Sequence, residues 1–260
     1  MSNSPDENPF GAFPFFGDLA KAMAAQGPLQ WDVARQVALM TATLGTNSES
    51  NVDPASRIAV ERLVSIAEMH VRESTAIDLG GANGVQVVNR SMWTHLTLEA
   101  YKPMFQNLAQ SLSRSTEVTP TETDDPMANM FASLNKMIAP AMMGMSVGTM
   151  VGQLSLRAFG QYDLPVPRDP RSGIVVVAPN IESFAADWSI DPNDMRMWVL
   201  VHELTTHSLL SRQPVRQALS DALSRYISGF RPNPEALMDR LSGVELGTDD
   251  PMSAMQRFFT

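Results

Sequence analysis

The chain has 260 residues, of which 44% are hydrophobic and 18% are charged, so it has enough apolar material to bury a large core. Its 19 basic residues stand against 28 acidic ones, a formal net charge of -9, which argues against binding to nucleic-acid phosphates. The sequence contains no cysteine, which excludes disulfides and thiolate metal sites and leaves His, Asp and Glu as the candidate metal ligands.

Residues 1–28 are rich in Pro, Gly, Asn and Phe and predict a weakly ordered leader. The leader lacks a basic segment followed by a sustained apolar one, so it does not resemble a secretory signal, and we expect a cytoplasmic protein. The most apolar stretch, 137–160, is interrupted by Pro140 and Arg157. It therefore predicts a buried helix rather than a membrane span.

Residues 29–115 predict an N-terminal helical region. One helix begins near Trp31, and a second begins at Pro54, with Asp53 in the capping position before it. The glycines of "GGANG" are not followed by Gly-Lys-Ser/Thr, so they indicate a turn leading into a third helix rather than a phosphate loop. An acidic linker is expected at 116–126.

Residues 127–260 predict a second region, which starts with a methionine-rich helix. Three glycines of this helix are spaced by four and so share one stripe that allows close packing: Gly144, Gly148 and Gly152. The segment 173–179, "GIVVVAP", predicts a strand. Asn180 would cap a short helix ending at Trp188. We therefore predict a mainly α fold with a small β element.

The segment that follows predicts a helix carrying the sequence "VHELTTHSLL". Asp191 is its expected N-cap, Pro192 its first residue and Pro214 its stop signal. The helix is apolar nearly all round, which predicts burial. Two further helices are expected, at 214–228 and 234–242.

This helix nearly matches the His-Glu-x-x-His motif of zinc hydrolases. Histidines at i and i+4 lie about 40° apart on a helix and share one zinc, while the intervening glutamate acts as general base. Here His202 and Glu203 are in place, but Thr206 occupies the second ligand position. His207 lies one residue further on, about 140° from His202 on a regular helix.

Three interpretations of the shifted histidine are open. A π-bulge would swing His207 toward His202. Glu203 and His207, at i and i+4, would form a different, carboxylate-containing site. Alternatively the helix has lost its metal and His207 is hydrogen-bonded elsewhere. The motif is typical of zinc sites, so zinc is the expected metal.

Three segments carry a family resemblance: "QWDVARQVA", "SVGTMVGQLSLRAFGQYDLPVP" and "VVVAPNIESFAADWSIDPNDMRMWVLVHE". Together they resemble, in order and approximate spacing over residues 29–230, the actinobacterial zincin-like metallopeptidase family, also labelled zinc-dependent hydrolases or coenzyme F420 biosynthesis-associated proteins. The resemblance implies a largely helical zincin-like domain with an active-site helix. It makes His202 the first zinc ligand and Glu203 the general base, and it places Thr206, not His207, at the second ligand position.

The third ligand of a zincin commonly lies downstream of this helix, where the candidates are Asp221, Glu235, Asp239 and Glu245. Since family members usually run longer, the chain is either a fragment or a short form. Two functions remain open. One is a zinc-dependent hydrolase, acting on a peptide or small molecule. The other is a catalytically silent protein of the same fold with a binding or structural role.

Overall fold

The computed structural model describes residues 27–46, 48–76, 84–116 and 126–229, with the backbone alone at 114–116 and 126–137. Nearly all of the leader, most of the linker and the helix expected at 234–242 lie outside these residues. The division into two regions at the linker therefore stays a prediction.

Three helices form the first layer of the fold: α1 (Trp31–Ala42), α3 (Arg90–Thr116) and α4 (Pro126–Ser155). Helices from both sides of the linker thus share one apolar core, to which Ala38, Phe105 and Val151 contribute. Burial of such side chains is the main source of stability in a helical layer.

The glycine stripe lies where α4 meets α1. A β-carbon at Gly144 or Gly148 would lie 2.5 Å from the carbonyl oxygen of Gln30 or Ala34, respectively. Since real β-carbons do not approach backbone that closely, only glycine permits this helix separation. The close packing predicted from the spacing is confirmed.

A second helical layer consists of α2 (Pro54–Thr75), α5 (Ala178–Asp187) and α6 (Pro192–Leu210), and α7 (Gln213–Gly229) packs against α3 and α6. The starts of α2 and α6 follow the sequence signals. The carboxylate of Asp53 accepts a hydrogen bond from the N–H of Ala55, and that of Asp191 accepts from Asn193 and Asp194. Both predicted caps are confirmed.

A two-stranded parallel sheet lies between the layers, with β1 (Val85–Val88) in register with β2 (Ile174–Val177). Side chains alternate between its faces. Val88, Val175 and Val177 pack in the first layer, whereas Val87, Ile174 and Val176 pack in the second. β2 is the predicted strand, while β1 lies where a turn leading directly into a helix was expected. The fold is mainly α with a small β element, as predicted.

Asn180 does not cap α5, because that helix already begins at Ala178. Its amide is buried instead, donating to the carbonyl oxygens of Ser155 and Ala158 and accepting from Arg90 Nε. The amide therefore ties α5 to the end of α4.

The expectation that α6 is buried all round is wrong, since Trp198 and Leu209 are exposed on one face of it.

Among the described helices, none combines the length and apolar character that crossing a bilayer would require.

Candidate functional site

The His-Glu helix α6 presents its polar residues in two directions. Glu203 and His207 point into the protein, with only 1% and 2% of their surface exposed. The side chain of His202 is 42% exposed, and Thr206 is half-buried. α6 is regular α-helix throughout, so no π-bulge brings His207 toward His202.

The carboxylate of Glu203 is held by backbone amides. Its Oε2 atom accepts hydrogen bonds from the N–H groups of Gln161 and Tyr162, at 3.0 and 3.1 Å. Tyr162 N also lies 3.2 Å from Oε1. Hydrogen bonds to a charged acceptor are the stronger kind, so this contact fastens the segment 159–163 onto α6.

Segment 159–163 is itself fixed on the edge of β2. Val177 donates to the carbonyl oxygen of Phe159, and Gln161 donates to that of Val175. The carboxylate of Asp163 closes the turn by accepting from the N–H groups of Phe159 and Gly160, at 2.6 and 2.8 Å. The amides therefore face Glu203 in a preformed arrangement.

Gly160 provides the space into which the Glu203 side chain fits. A β-carbon at position 160 would overlap Cδ of Glu203 and would lie 2.5 Å from its Oε1 atom. The carbonyl oxygen of Gly160 accepts a hydrogen bond from Trp93 Nε1 at 2.8 Å, so the glycine is held against α3 as well.

His202 lies beside this carboxylate but toward the surface. Its Nδ1 atom is 3.4 Å from Glu203 Oε1, and its ring stacks on Trp198 with centroids 5.5 Å apart and 11° between the planes. The hydrogen bond to Glu203 raises the pKa of His202, against the opposing effect of partial burial.

Burial raises the pKa of Glu203, although the hydrogen bonds from His202 and Tyr162 act in the opposite direction. An ion pair alone would lower the pKa of the acid, yet the pKa values of both partners rise. Desolvation of the carboxylate therefore outweighs its attraction to the half-exposed imidazole.

His207 is hydrogen-bonded away from His202. Its Nδ1 atom lies 2.9 Å from the hydroxyl of Tyr162. Burial lowers the pKa of His207 and raises the pKa of Tyr162 to about 12, so the two groups form a neutral pair at ordinary pH. Tyr162 thus contacts two buried polar residues of α6, Glu203 through its backbone and His207 through its side chain.

Zinc does not fit the site that the described residues form. A structural or catalytic zinc needs at least three protein ligands within about 2.0–2.3 Å of one point. Nowhere in the described ranges do three His, Asp or Glu side chains come close enough together to hold a metal. Among the downstream candidates, Asp221 is exposed on α7, and Glu235, Asp239 and Glu245 lie outside the described residues.

Sequence reasoning missed the part played by Gly160, Tyr162 and Asp163. They belong to the "GQYD" segment on which the family resemblance partly rests, but nothing in their spacing connects them to α6. The remaining histidines, His70 and His95, are exposed on their helices.

Helices lie on both faces of a small parallel sheet, and the His-Glu helix α6 packs against the face formed by Val87, Ile174 and Val176. The family model described as "Zincin-like metallopeptidase" matches residues 29–260. The chain belongs to this family, which confirms the zincin relationship predicted from the sequence.

A crystal structure of "a putative hydrolase with a novel fold" from Chloroflexus aurantiacus is similar in fold, with a TM-score of 0.53 and 22% sequence identity. The similarity covers 77% of this chain and 59% of that one, so the chain spans less than two thirds of the length of that structure. No curated protein matches the chain.

Proposed function

We propose that this chain is a catalytically silent member of the zincin-like metallopeptidase family with a binding role. The main observation behind this proposal is the burial of Glu203. Its carboxylate is shielded from solvent and accepts hydrogen bonds from the backbone N–H groups of residues 161 and 162. A general base must reach the proton that it removes. Here Glu203 is 1% exposed and packs directly against segment 159–163.

The ligand positions support the same proposal. Thr206 offers a neutral hydroxyl where the motif has its second histidine, and a hydroxyl is a poor zinc ligand. His207 uses Nδ1 to bond the Tyr162 hydroxyl. In this proposal Glu203 and His207 serve to join α6 to segment 159–163.

Metal content tests the proposal directly. Protein purified without added metal should contain no stoichiometric zinc, by elemental mass spectrometry, and should show no chelator-sensitive peptidase activity. Thr206→His places a second imidazole at i+4 from His202 and should raise zinc binding above that of the parent chain. One zinc per parent chain that is lost in His202→Ala would contradict the proposal.

Metal-dependent hydrolysis of a peptide or small molecule is the second candidate. Family membership and the half-exposed imidazole of His202, 3.4 Å from Glu203, favour it. In that case His202 would be a zinc ligand and Glu203 the general base, and the other ligands would come from outside the described residues. His202→Ala should then abolish zinc binding, whereas His207→Ala, which removes a ring bonded to Tyr162, should leave the zinc content unchanged.

Cytoplasmic location, actinobacterial origin and a link to coenzyme F420 biosynthesis remain expectations from the sequence. They apply equally to a silent and to an active protein. Fractionation of cells that express the chain would test the first of them.

A further inference from the structure

Arg168 is a buried cation without a carboxylate partner in the described part of the chain. Only 8% of its surface is exposed, and none of the ion pairs among the described residues includes it. Its Nη2 atom donates to Thr97 Oγ1 at 3.1 Å, and its guanidinium carbon lies 4.9 Å from the centre of the Tyr101 ring. Neither contact neutralises the charge, and an uncompensated buried charge is costly.

A second buried donor beside the same cavity also lacks a hydrogen bond of good geometry. Gln161 accepts a hydrogen bond from Val175 N through Oε1, at 3.3 Å. Its Nε2 atom, like Nε of Arg168, is buried without a hydrogen bond of good geometry, although the Gln161 amide lies close enough to the Tyr162 hydroxyl to lower the pKa of that group. Buried polar groups are nearly always paired, so two poorly paired donors in one region call for an acceptor.

Both residues line a cavity of about 470 Å³ between α3, the segment 167–173 and β2. That volume falls within the range of small-molecule sites, roughly 300–1,000 Å³. Leu96, Ala100 and Val175 supply apolar wall. The one carboxylate of the lining, Asp169, is exposed and lies 3.5 Å from Arg171, which also lines the cavity, so the two arginines of the lining outnumber its carboxylate.

We infer that this cavity binds a small molecule through an oxyanion, a carboxylate or a phosphate group, with Arg168 as the ion-pair partner. The planar guanidinium matches the geometry of both groups, and its bonds to them are charge-assisted. The amide of Gln161 supplies a further donor. The apolar wall accommodates the rest of the ligand.

The cavity is distinct from the His-Glu pair and needs no metal, so the inference holds whether or not α6 binds zinc. Gln161 nevertheless contacts both sites, because its backbone N–H donates a hydrogen bond to Glu203 while its side chain lines the cavity. For a catalytically silent protein, this cavity is the proposed binding site.

Thermal unfolding of the chelator-treated full chain tests the inference, with inorganic phosphate and acetate as probes against chloride at equal ionic strength. A ligand that binds only the folded protein raises the Tm with a saturable dependence on concentration. We expect such a rise with at least one probe. A response to phosphate alone assigns a phosphorylated ligand, and a response to acetate assigns a carboxylate.

Arg168→Gln should abolish the saturable rise, whereas Arg212→Gln, which removes an exposed arginine at the end of α6, should keep it. Should Arg168→Gln fail to fold, Gln161→Glu provides the second test. It keeps an acceptor for Val175 N and adds a negative charge, so it should also eliminate anion binding, measured by equilibrium dialysis with radioactive phosphate or acetate. A wild-type chain that responds to neither probe, or variants that bind as well as the wild type, would overturn the inference.

Discussion

The carboxyl group of Glu203 occupies the space that a side chain at Gly160 would need. A β-carbon at position 160 would overlap Cδ of Glu203, and the next two residues donate their backbone N–H groups to the same carboxylate. The glycine and the glutamate are therefore two parts of one contact between segment 159–163 and α6.

Gly160→Ala should destabilise the protein by about 1–3 kcal/mol, the usual cost of forcing a methyl group into a packed interior. Denaturant unfolding followed by circular dichroism measures the change. Gly229→Ala is the matched control, since a β-carbon at position 229 meets none of the described residues within 4 Å. Its effect should stay within about 0.5 kcal/mol.

A double-mutant cycle identifies Glu203 as the residue that the added methyl group meets. In the Glu203→Ala background, Gly160→Ala should cost less than in the wild type, because the overlapping carboxyl group is gone. Equal costs in both backgrounds would show that the methyl group strains some other contact.

Glu203→Gln and Glu203→Ala should differ strongly in stability. Glutamine retains an oxygen that can accept from Gln161 and Tyr162, so at neutral pH it should leave stability within about 1 kcal/mol of the wild type. Alanine leaves the buried N–H of Tyr162 unpaired and opens a cavity, at a cost of about 2–4 kcal/mol, while the N–H of Gln161 keeps the carbonyl oxygen of Val175 as its acceptor. Urea unfolding of the two variants checks the order, and equal losses would show that the hydrogen bonds contribute little.

The stability of the wild type relative to Glu203→Gln should depend on pH. Because the pKa of Glu203 is raised in the folded state, the folded protein binds its proton more tightly than the unfolded chain does. This contribution to stability is present at low pH and is lost as pH rises from the unfolded pKa through the folded one. The free energy of unfolding of the wild type relative to Glu203→Gln should therefore fall across that window. A difference that does not change with pH would contradict the raised pKa.

Local signals explain the parts of the fold that the sequence predicts well. The start of α6 is predictable because Asp191 and Pro192 are adjacent in sequence and stabilise the helix end within its first turn. The packing of α4 on α1 follows from the four-residue spacing of its glycines. β2 is recognisable because its residues are β-branched and form a short run bounded by Gly173 and Pro179.

β1 and the Glu203 contact depend instead on distant parts of the chain. β1 has four residues, and its strand state follows from pairing with β2 nearly ninety positions later. The donors to Glu203 are backbone N–H groups, which every residue except proline possesses, so no residue type marks them. The partner of His207 is Tyr162, 45 positions earlier, and spacing within α6 cannot reveal it.

The imidazole of His202 should titrate above its ordinary value near 6.5, because Glu203 stabilises its charged form. Its stabilising contribution is then complete below the unfolded pKa and is lost as pH rises through the folded pKa. Nuclear magnetic resonance titration of the four histidines measures this. Glu203→Gln should lower the midpoint of His202, and Glu182→Gln, at a carboxylate paired with Arg196, should not. An unchanged midpoint in Glu203→Gln would show that Glu203 does not set the pKa of His202.

Tyr162→Phe should cost about 1–2 kcal/mol, because it leaves the buried Nδ1 atom of His207 without its partner. The exposed Tyr226 provides the control, and Tyr226→Phe should stay within about 0.5 kcal/mol of the wild type. Thermal and urea unfolding of both variants measure the difference. A neutral Tyr162→Phe would show that another group satisfies His207.

Gly148→Ala tests the close approach of α4 to α1 independently of the site. A β-carbon there would lie 2.5 Å from the carbonyl oxygen of Ala34 and 2.9 Å from Val37 Cβ, so the helices must separate. Separation loses packing along the whole contact, and we expect a loss of at least about 2 kcal/mol. Met150→Ala, at an exposed position of the same helix, should have little effect, since alanine also favours the helix. If both variants unfold at the same urea concentration as the wild type, α4 does not need glycine to pack against α1.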